Sequence, residues 1–213
     1  MSHDISKAVD KAMPSCVAIN IFSTFGGVKQ MAGHGSGVII DTDGHILTNA
    51  HVAGGGGTIE VETFDGQTFP AKLVGLDKKA DVAVIKITPF PGIKPVTKGD
   101  CRAIKAGKGV FAIGGPMGET FSVSQGIISH SARKKPDVNR LDLFQTDTAI
   151  NPGNSGGGLF NMDGELIGIN TFIKSPTGAS HGIGFAIKAN QALCEARKII
   201  GSCQKPNDCC DDI

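Results

Sequence analysis

The sequence predicts an all-β fold, laid out in two similar halves and closed by one short helix. Three observations predict it. Short apolar or alternating runs recur at close intervals, separated by turn signals such as Asp43-Gly44, Asp65-Gly66 and Asp163-Gly164. Pro89, Pro91, Gly92 and Pro95 make a connector with no sheet capacity between the halves. Residues 189–200 place Ala192, Leu193, Ala196, Ile199 and Ile200 at helical spacing. Many short strands with regular turns argue for barrels or sandwiches.

In chain order, Ile5, Ala8, Val9 and Ala12 mark a first helix over residues 4–12, which Pro14 must end. Cys16–Phe22 reads as a strand, and Gly26-Gly27 with Gly33 and Gly35 brackets a short connection. Residues 38–40 and 45–48 form a hairpin across Asp41-Thr42-Asp43-Gly44, and residues 58–64 and 68–74 form a second across Asp65-Gly66. Residues 82–87 alternate and close the first half. Strands are expected in the second half at 109–113, 121–129, 141–146, 157–160 and 166–172, with the helix packing on that half. The resulting division is 1–95, 96–202 and a polar tail over 203–213.

Composition limits the function classes. Across 213 residues, 40% are hydrophobic and 19% charged, which is enough for an ordinary core. A net charge of +1 leaves no electrostatic footprint for nucleic acid, so no such partner is expected. The most basic run, Arg133-Lys134-Lys135 before Pro136, is expected to be a solvated loop. No run approaches the roughly 20 apolar residues of a membrane span. The chain opens without a basic region followed by an apolar stretch. Cys16 is expected buried; Cys203, Cys209 and Cys210 are expected in a frayed tail, tied to Cys194 by a disulfide rather than holding a metal. Gly54–Gly57 lacks the Lys-Ser/Thr of a phosphate loop and reads as a flexible connection, so no cofactor is expected.

The chemistry concentrates in Gly153-Asn154-Ser155-Gly156-Gly157, which sets one hydroxyl among residues able to bend the backbone sharply. Such a turn can aim several N–H groups at one point beside a serine nucleophile. Alone, the same residues are good turn chemistry. A serine needs a base, and the base needs a carboxylate to hold its tautomer. His51, at the end of an apolar run, and Asp81, at the start of a strand-like one, supply both. The order His, Asp, Ser is one of three known for this constellation.

Thr48-Asn49-Ala50-His51-Val52, Asp81-Val82-Ala83-Val84 and Gln145 through Gly157 resemble the three catalytic blocks of the HtrA/Deg family of trypsin-fold serine proteases. Gly35-Ser36-Gly37, Gly114-Gly115-Pro116-Met117-Gly118 and Gly182-Ile183-Gly184-Phe185-Ala186 agree with it, so the resemblance covers roughly residues 5–200. It implies two six-stranded barrels with a terminal helix, the first carrying His51 and Asp81 and the second Ser155. It further implies Ser155 as nucleophile, His51 as base then acid, Asp81 as its partner, and an oxyanion hole at Gly153, Asn154 and Ser155. Ile150, Thr171, Phe172 and Ile173 would line the primary specificity pocket, and the strand with Gly184, Phe185 and Ala186 would pair with extended substrate. No acid lies at the base of these segments, which suits small or medium aliphatic residues before the cut.

The family likeness implies unfolded or misfolded polypeptides as substrates, an extracytoplasmic location, and trimers through the amino-terminal region with Phe22 or Phe25 as contacts. The sequence carries no family PDZ domain after Ile200, as in a protease-domain fragment or a PDZ-less relative. Two alternatives remain at this stage. One is a protease-fold binding module or chaperone that captures chains without cutting; the other is a metal-binding pseudo-enzyme using His51 with His181 or His34.

Overall fold

The computed structural model describes residues 4–202. A short helix α1 (Ser6–Ala12) opens the chain and buries Ala8 and Ala12, the face its spacing predicts. Pro14 sits in a 3-10 turn, Met13–Ser15, that ends the helix.

The first barrel follows: β1 (Cys16–Phe25), β2 (Val28–Ile39), β3 (His45–Thr48), β4 (Thr58–Thr63), β5 (Thr68–Asp77) and β6 (Val82–Lys86), with a four-residue helix α2 (Ala50–Ala53) after β3. Neighbours run β1-β2-β3-β6-β5-β4, and β4 pairs back onto β1 to close the ring. The second barrel holds β7 (Gly109–Gly114), β8 (Ser122–Lys135), β9 (Asn139–Thr146), β10 (Gly158–Asn161), β11 (Leu166–Ile173) and β12 (Gly184–Lys188), closed in the order β10-β11-β12-β9-β8-β7. Helix α3 (Ala189–Ile200) ends the described chain at Gly201, whose φ of +78° lets the Gly201 and Ser202 N–H groups cap the last carbonyls.

Three expectations are corrected. Residues 26–35 are not a short connection: β1 and β2 continue as a long hairpin that turns at Gly26-Gly27, leaving Phe25, Val28 and Met31 exposed. The basic run 133–135 is the end of β8, paired with β9, because the β8–β9 ribbon tolerates register shifts and reaches past the barrel wall. Helix α3 packs on β11 and β12 but equally on β5 and β6, so it bridges the barrels instead of resting on the second. Cys16 is buried as expected, and burial pushes its thiol far up. Cys194 is disulfide-bonded; the expectation for Cys203, Cys209 and Cys210 lies outside the described residues. Among the described residues no helix is long and apolar enough to cross a membrane.

The alternation of each strand explains the packing. Val17, Ile19, Ile21, Ile39, Ile46, Val61 and Ile85 fill the first barrel. Phe111, Phe144, Phe160 and Phe185 fill the second, each contributing roughly 1.5–3 kcal/mol on burial. Residues on the other face of the first barrel, Val38, Leu47, Val82 and Val84, join the second cluster, so the barrels meet in a continuous apolar seam.

A polar clamp lies over that seam. Arg140 on β9 reaches Asp77 at the end of β5 (2.8 Å) and Glu195 on α3 (2.6 Å), and Lys198 also meets Glu195 (2.7 Å). Burial alone would raise the Asp77 carboxyl, but the Arg140 guanidinium and the Ala80 N–H hold it below its ordinary 3.8. A depressed folded value means the unfolded state binds more protons on acidification, so this stabilisation is present at neutral pH and fades as pH falls through the carboxylate range. Urea unfolding of wild type and Asp77→Asn should therefore show a stability gap at pH 7 that narrows steadily from about pH 5 to pH 3.

Candidate active site

Asp81 sits in the turn entering β6 with φ +52°, a left-handed conformation that Asp tolerates better than most residues. Its backbone oxygen accepts from Asn49 Nδ2 (2.9 Å), which ties the turn to the start of α2. Its carboxylate accepts three donor groups. The His51 N–H gives 3.1 Å to Oδ1, His51 Nδ1 lies 2.9 Å from Oδ2 and 3.0 Å from Oδ1, and Thr171 Oγ1 donates to Oδ2 at 2.6 Å. An ionised carboxylate only accepts, so Nδ1 carries the ring hydrogen and Nε2 is left with a lone pair. The side chain of Asp81 is mostly covered and that of His51 half exposed, so the pair opens toward solvent on the imidazole side.

Ser155 arrives from the second barrel on the loop between β9 and β10. Its hydroxyl donates to the Thr171 carbonyl at 3.1 Å. His51 and Ser155 share the wall of a cavity of about 340 Å³, which Ile21, His34, Val52, Pro152 and Gly153 also line. Their side chains are not hydrogen-bonded to each other in this rotamer. Thr171 thus holds both halves: hydroxyl on Asp81, carbonyl under Ser155.

The loop around Ser155 is pinned at nearly every carbonyl. Met117 N donates to Pro152 O (3.0 Å), Ser36 Oγ to Gly153 O (2.8 Å), Gly157 N to Asn154 O (3.0 Å) and Ser36 N to Ser155 O (2.9 Å). In a trans peptide the N–H points opposite to its C=O. Drawing the Pro152 and Asn154 carbonyls back into the protein therefore turns the Gly153 and Ser155 N–H groups the other way. Neither has a partner among the described residues. Asn154 differs, because its N–H is used by Asn151 O (3.0 Å) and its side-chain amide donates inward to Ala149 O (3.2 Å). Gly153 has φ +103°, and a Cβ there would run into Gly115 O.

The remaining sequence-predicted residues separate into two groups. Ile150, Gly184, Phe185 and Ala186 are buried in the second barrel, with Phe172 stacked on Phe185 at 4.8 Å. The strand of Gly184–Ala186 has neighbours on both edges, β11 and β9, so it is not a rim able to take a further strand. The open edge lies on β11 itself: β10 pairs it at 166–169 and the serine loop at Asn170, while Thr171–Ile173 have no backbone partner on that side among the described residues. His34 lies on β2 beside the cavity; His181 is held locally by Ser175 and Ala179 and does not line it. Sequence reasoning missed Ser36, the backbone of Met117 and the hydroxyl of Thr171. Only Ser36, set between Gly35 and Gly37, carries a local signal.

A family profile described as the trypsin-like peptidase domain matches residues 35–169. A solved HtrA-type protease AlgW with decapeptide superposes with a TM-score of 0.86 at 36% identity, over 93% of this chain and 68% of that one. The chain belongs to the trypsin-like peptidase family, among its HtrA-type members. A second AlgW structure, with tripeptide, gives a TM-score of 0.86 at 39% identity, over 93% and 64% of the two chains. A probable periplasmic serine endoprotease DegP-like of Halomonas elongata is 48% identical over 159 residues, 75% of this chain and 33% of that protein. The periplasmic serine endoprotease DegP of Escherichia coli K12 is 46% identical over 158 residues, 73% and 33% respectively. This HtrA-type domain thus spans about a third of the length of the curated relatives it matches.

The glycines of this peptidase domain provide a structural check. Gly153→Ala should lower stability by about 1–3 kcal/mol from left-handed strain, plus the collision with Gly115 O. Gly55→Ala, on the same cavity wall but facing open space at ordinary φ, should stay within about 0.5 kcal/mol. Thermal melts of the two variants beside wild type measure both.

Proposed function

We propose that this domain is a serine endopeptidase acting through an acyl-enzyme, with Ser155 as nucleophile, His51 as base and acid, and Asp81 as orienter. One observation carries the reading: an Asp81-bound imidazole faces the Ser155 loop across one cavity, and that loop presents two unpartnered N–H groups.

An extended chain would lie along the open edge of β11, adding a strand at Thr171–Ile173. A substrate N–H reaching the Thr171 carbonyl competes with the Ser155 hydroxyl for that acceptor. The displaced hydroxyl turns about χ1 to its next staggered position, toward His51 Nε2. As Ser155 Oγ bonds to the scissile carbonyl carbon, Nε2 takes its proton and the Asp81 carboxylate stabilises the imidazolium. The carbonyl oxygen becomes an oxyanion against the Gly153 and Ser155 N–H groups. Collapse breaks the C–N bond, and His51 gives its proton to the leaving amine. A water then repeats the sequence on the ester, releasing the acid and restoring both side chains.

The apolar surroundings of Ile150, Phe172 and Ile173 favour small or medium aliphatic residues before the cut. Main-chain pairing suits unfolded or misfolded polypeptides. The names of the DegP relatives support an extracytoplasmic, periplasmic setting. A homo-trimer through the amino-terminal region remains a proposal by family analogy. A second reading, capture of peptides without cutting, rests on the Ser155 hydroxyl being turned to Thr171 O.

A fluorophosphonate should label Ser155 and casein should be hydrolysed, both lost in Ser155→Ala, while Asp81→Asn should lower kcat by about 10⁴. Absence of labelling in wild type, even with added peptide activators, overturns the endopeptidase reading. Equal peptide binding by wild type and Ser155→Ala with no turnover puts the capture reading in its place.

A further inference from the structure

We infer that Ser36 of the first barrel is a positioning residue for the oxyanion hole, locking a second-barrel loop into its donor-out conformation. The inference rests on the endopeptidase reading above and adds a residue to it.

Ser36 is 2% exposed, and its polar atoms are all engaged. Its hydroxyl donates to Gly153 O at 2.8 Å and accepts from Gly115 N at 3.1 Å. Its backbone N–H donates to Ser155 O at 2.9 Å, and its backbone oxygen accepts from Thr48 Oγ1 at 2.8 Å. One side chain therefore joins the serine loop to the β7–β8 loop and connects both to β2.

The two loops are otherwise tied by Met117 N to Pro152 O at 3.0 Å. These bonds act on adjacent peptides. Met117 holds the Pro152–Gly153 peptide with its carbonyl inward, and Ser36 holds the following carbonyl, Gly153 O. Gly153 lacks a side chain, so nothing of its own resists rotation of either peptide. Loss of the Ser36 hydroxyl frees Gly153 O and leaves Gly115 N without an acceptor in a buried place. The Met117–Pro152 and Asn154–Asn151 bonds are then left to hold the two peptides alone, and each rotation of the Pro152–Gly153 unit that breaks the former aims a carbonyl, not an N–H, at the cavity. An oxyanion there meets a partial negative charge instead of a donor.

The close fit around Ser36 explains why the loop is held by a residue this small. A Cβ at Gly157 would lie 3.1 Å from Ser36 Cβ, and one at Gly114 would lie 3.1 Å from Ser36 Oγ. A hydroxyl reaches both loops where Gly114 and Gly157 leave it room.

The hole acts on the transition state, so the expected signature is a kcat effect with binding intact. Ser36→Ala should lower kcat for a peptide ester or casein-derived peptide by about 10- to 100-fold, short of the full loss of a donor. KM should stay within about twofold, and the rate of fluorophosphonate labelling at Ser155 should fall in parallel. Thr63→Val removes a comparably buried hydroxyl on β4, two strands from Ser36, whose bonds go to Asp65 and Gln67 and not to the serine loop, and controls for stability; its kcat should remain within twofold of wild type. If Ser36→Ala does not fold, Ser36→Cys, with a longer and weaker donor, carries the test through the same kcat loss. Wild-type kcat in the folded Ser36 variant overturns the positioning role while leaving the endopeptidase reading standing. An inactive, unlabelled wild type sinks both.

Discussion

The carboxylate of Asp81 is the point on which the site depends, because it accepts from both barrels at once. His51 approaches it from the first barrel through a backbone and a ring N–H, and Thr171 approaches from the second through a hydroxyl. A charge placed in so mostly covered a position is tolerable only when its lone pairs are matched by donors. Three donors of fixed origin satisfy it, and in doing so they tie the two barrels together beside the cavity. The left-handed backbone of Asp81, anchored through Asn49, is the local strain that this arrangement requires.

Around that centre the two barrels act as a single body. Val38, Leu47, Val82 and Val84 point away from the first barrel's interior and into the seam. Helix α3 and the Arg140–Asp77–Glu195 clamp close it at the rear. Rigidity matters because the serine loop has little of its own. Residues 151–157 contain no regular structure and are shaped by hydrogen bonds to β2, β11 and the β7–β8 loop. The donor-out orientation of Gly153 and Ser155 is thus a property of the packed pair of barrels, not of the loop.

Much of the strand plan was legible in the chain. The hairpins at Asp43-Gly44 and Asp65-Gly66, the strand starting at His45, and the helix over 189–200 follow from period and turn chemistry, both short-range signals. Two of the misses share a cause. The hairpin around Gly26-Gly27 and the end of β8 are exposed ribbons with polar residues on both faces, so no burial pattern marks them as strands. The rim assignment to Gly184–Ala186 failed because two edges of a strand look identical in sequence until neighbours are known; β9 and β11 occupy both.

The sequence by itself determined which side chains are available for chemistry, an imidazole, a carboxylate and a hydroxyl set among glycines, and where short strands begin and turn. Tertiary structure alone decided how they meet: that Thr171 supports Asp81, that Ser36 and Met117 hold the serine loop, and that the open edge belongs to β11. The reason is separation along the chain. Ser36 and Gly153 are 117 residues apart, and Asp81 and Thr171 are 90 apart. Periodicity reports only what a residue does to its own strand or helix, whereas these contacts exist only once two closed barrels have packed against each other.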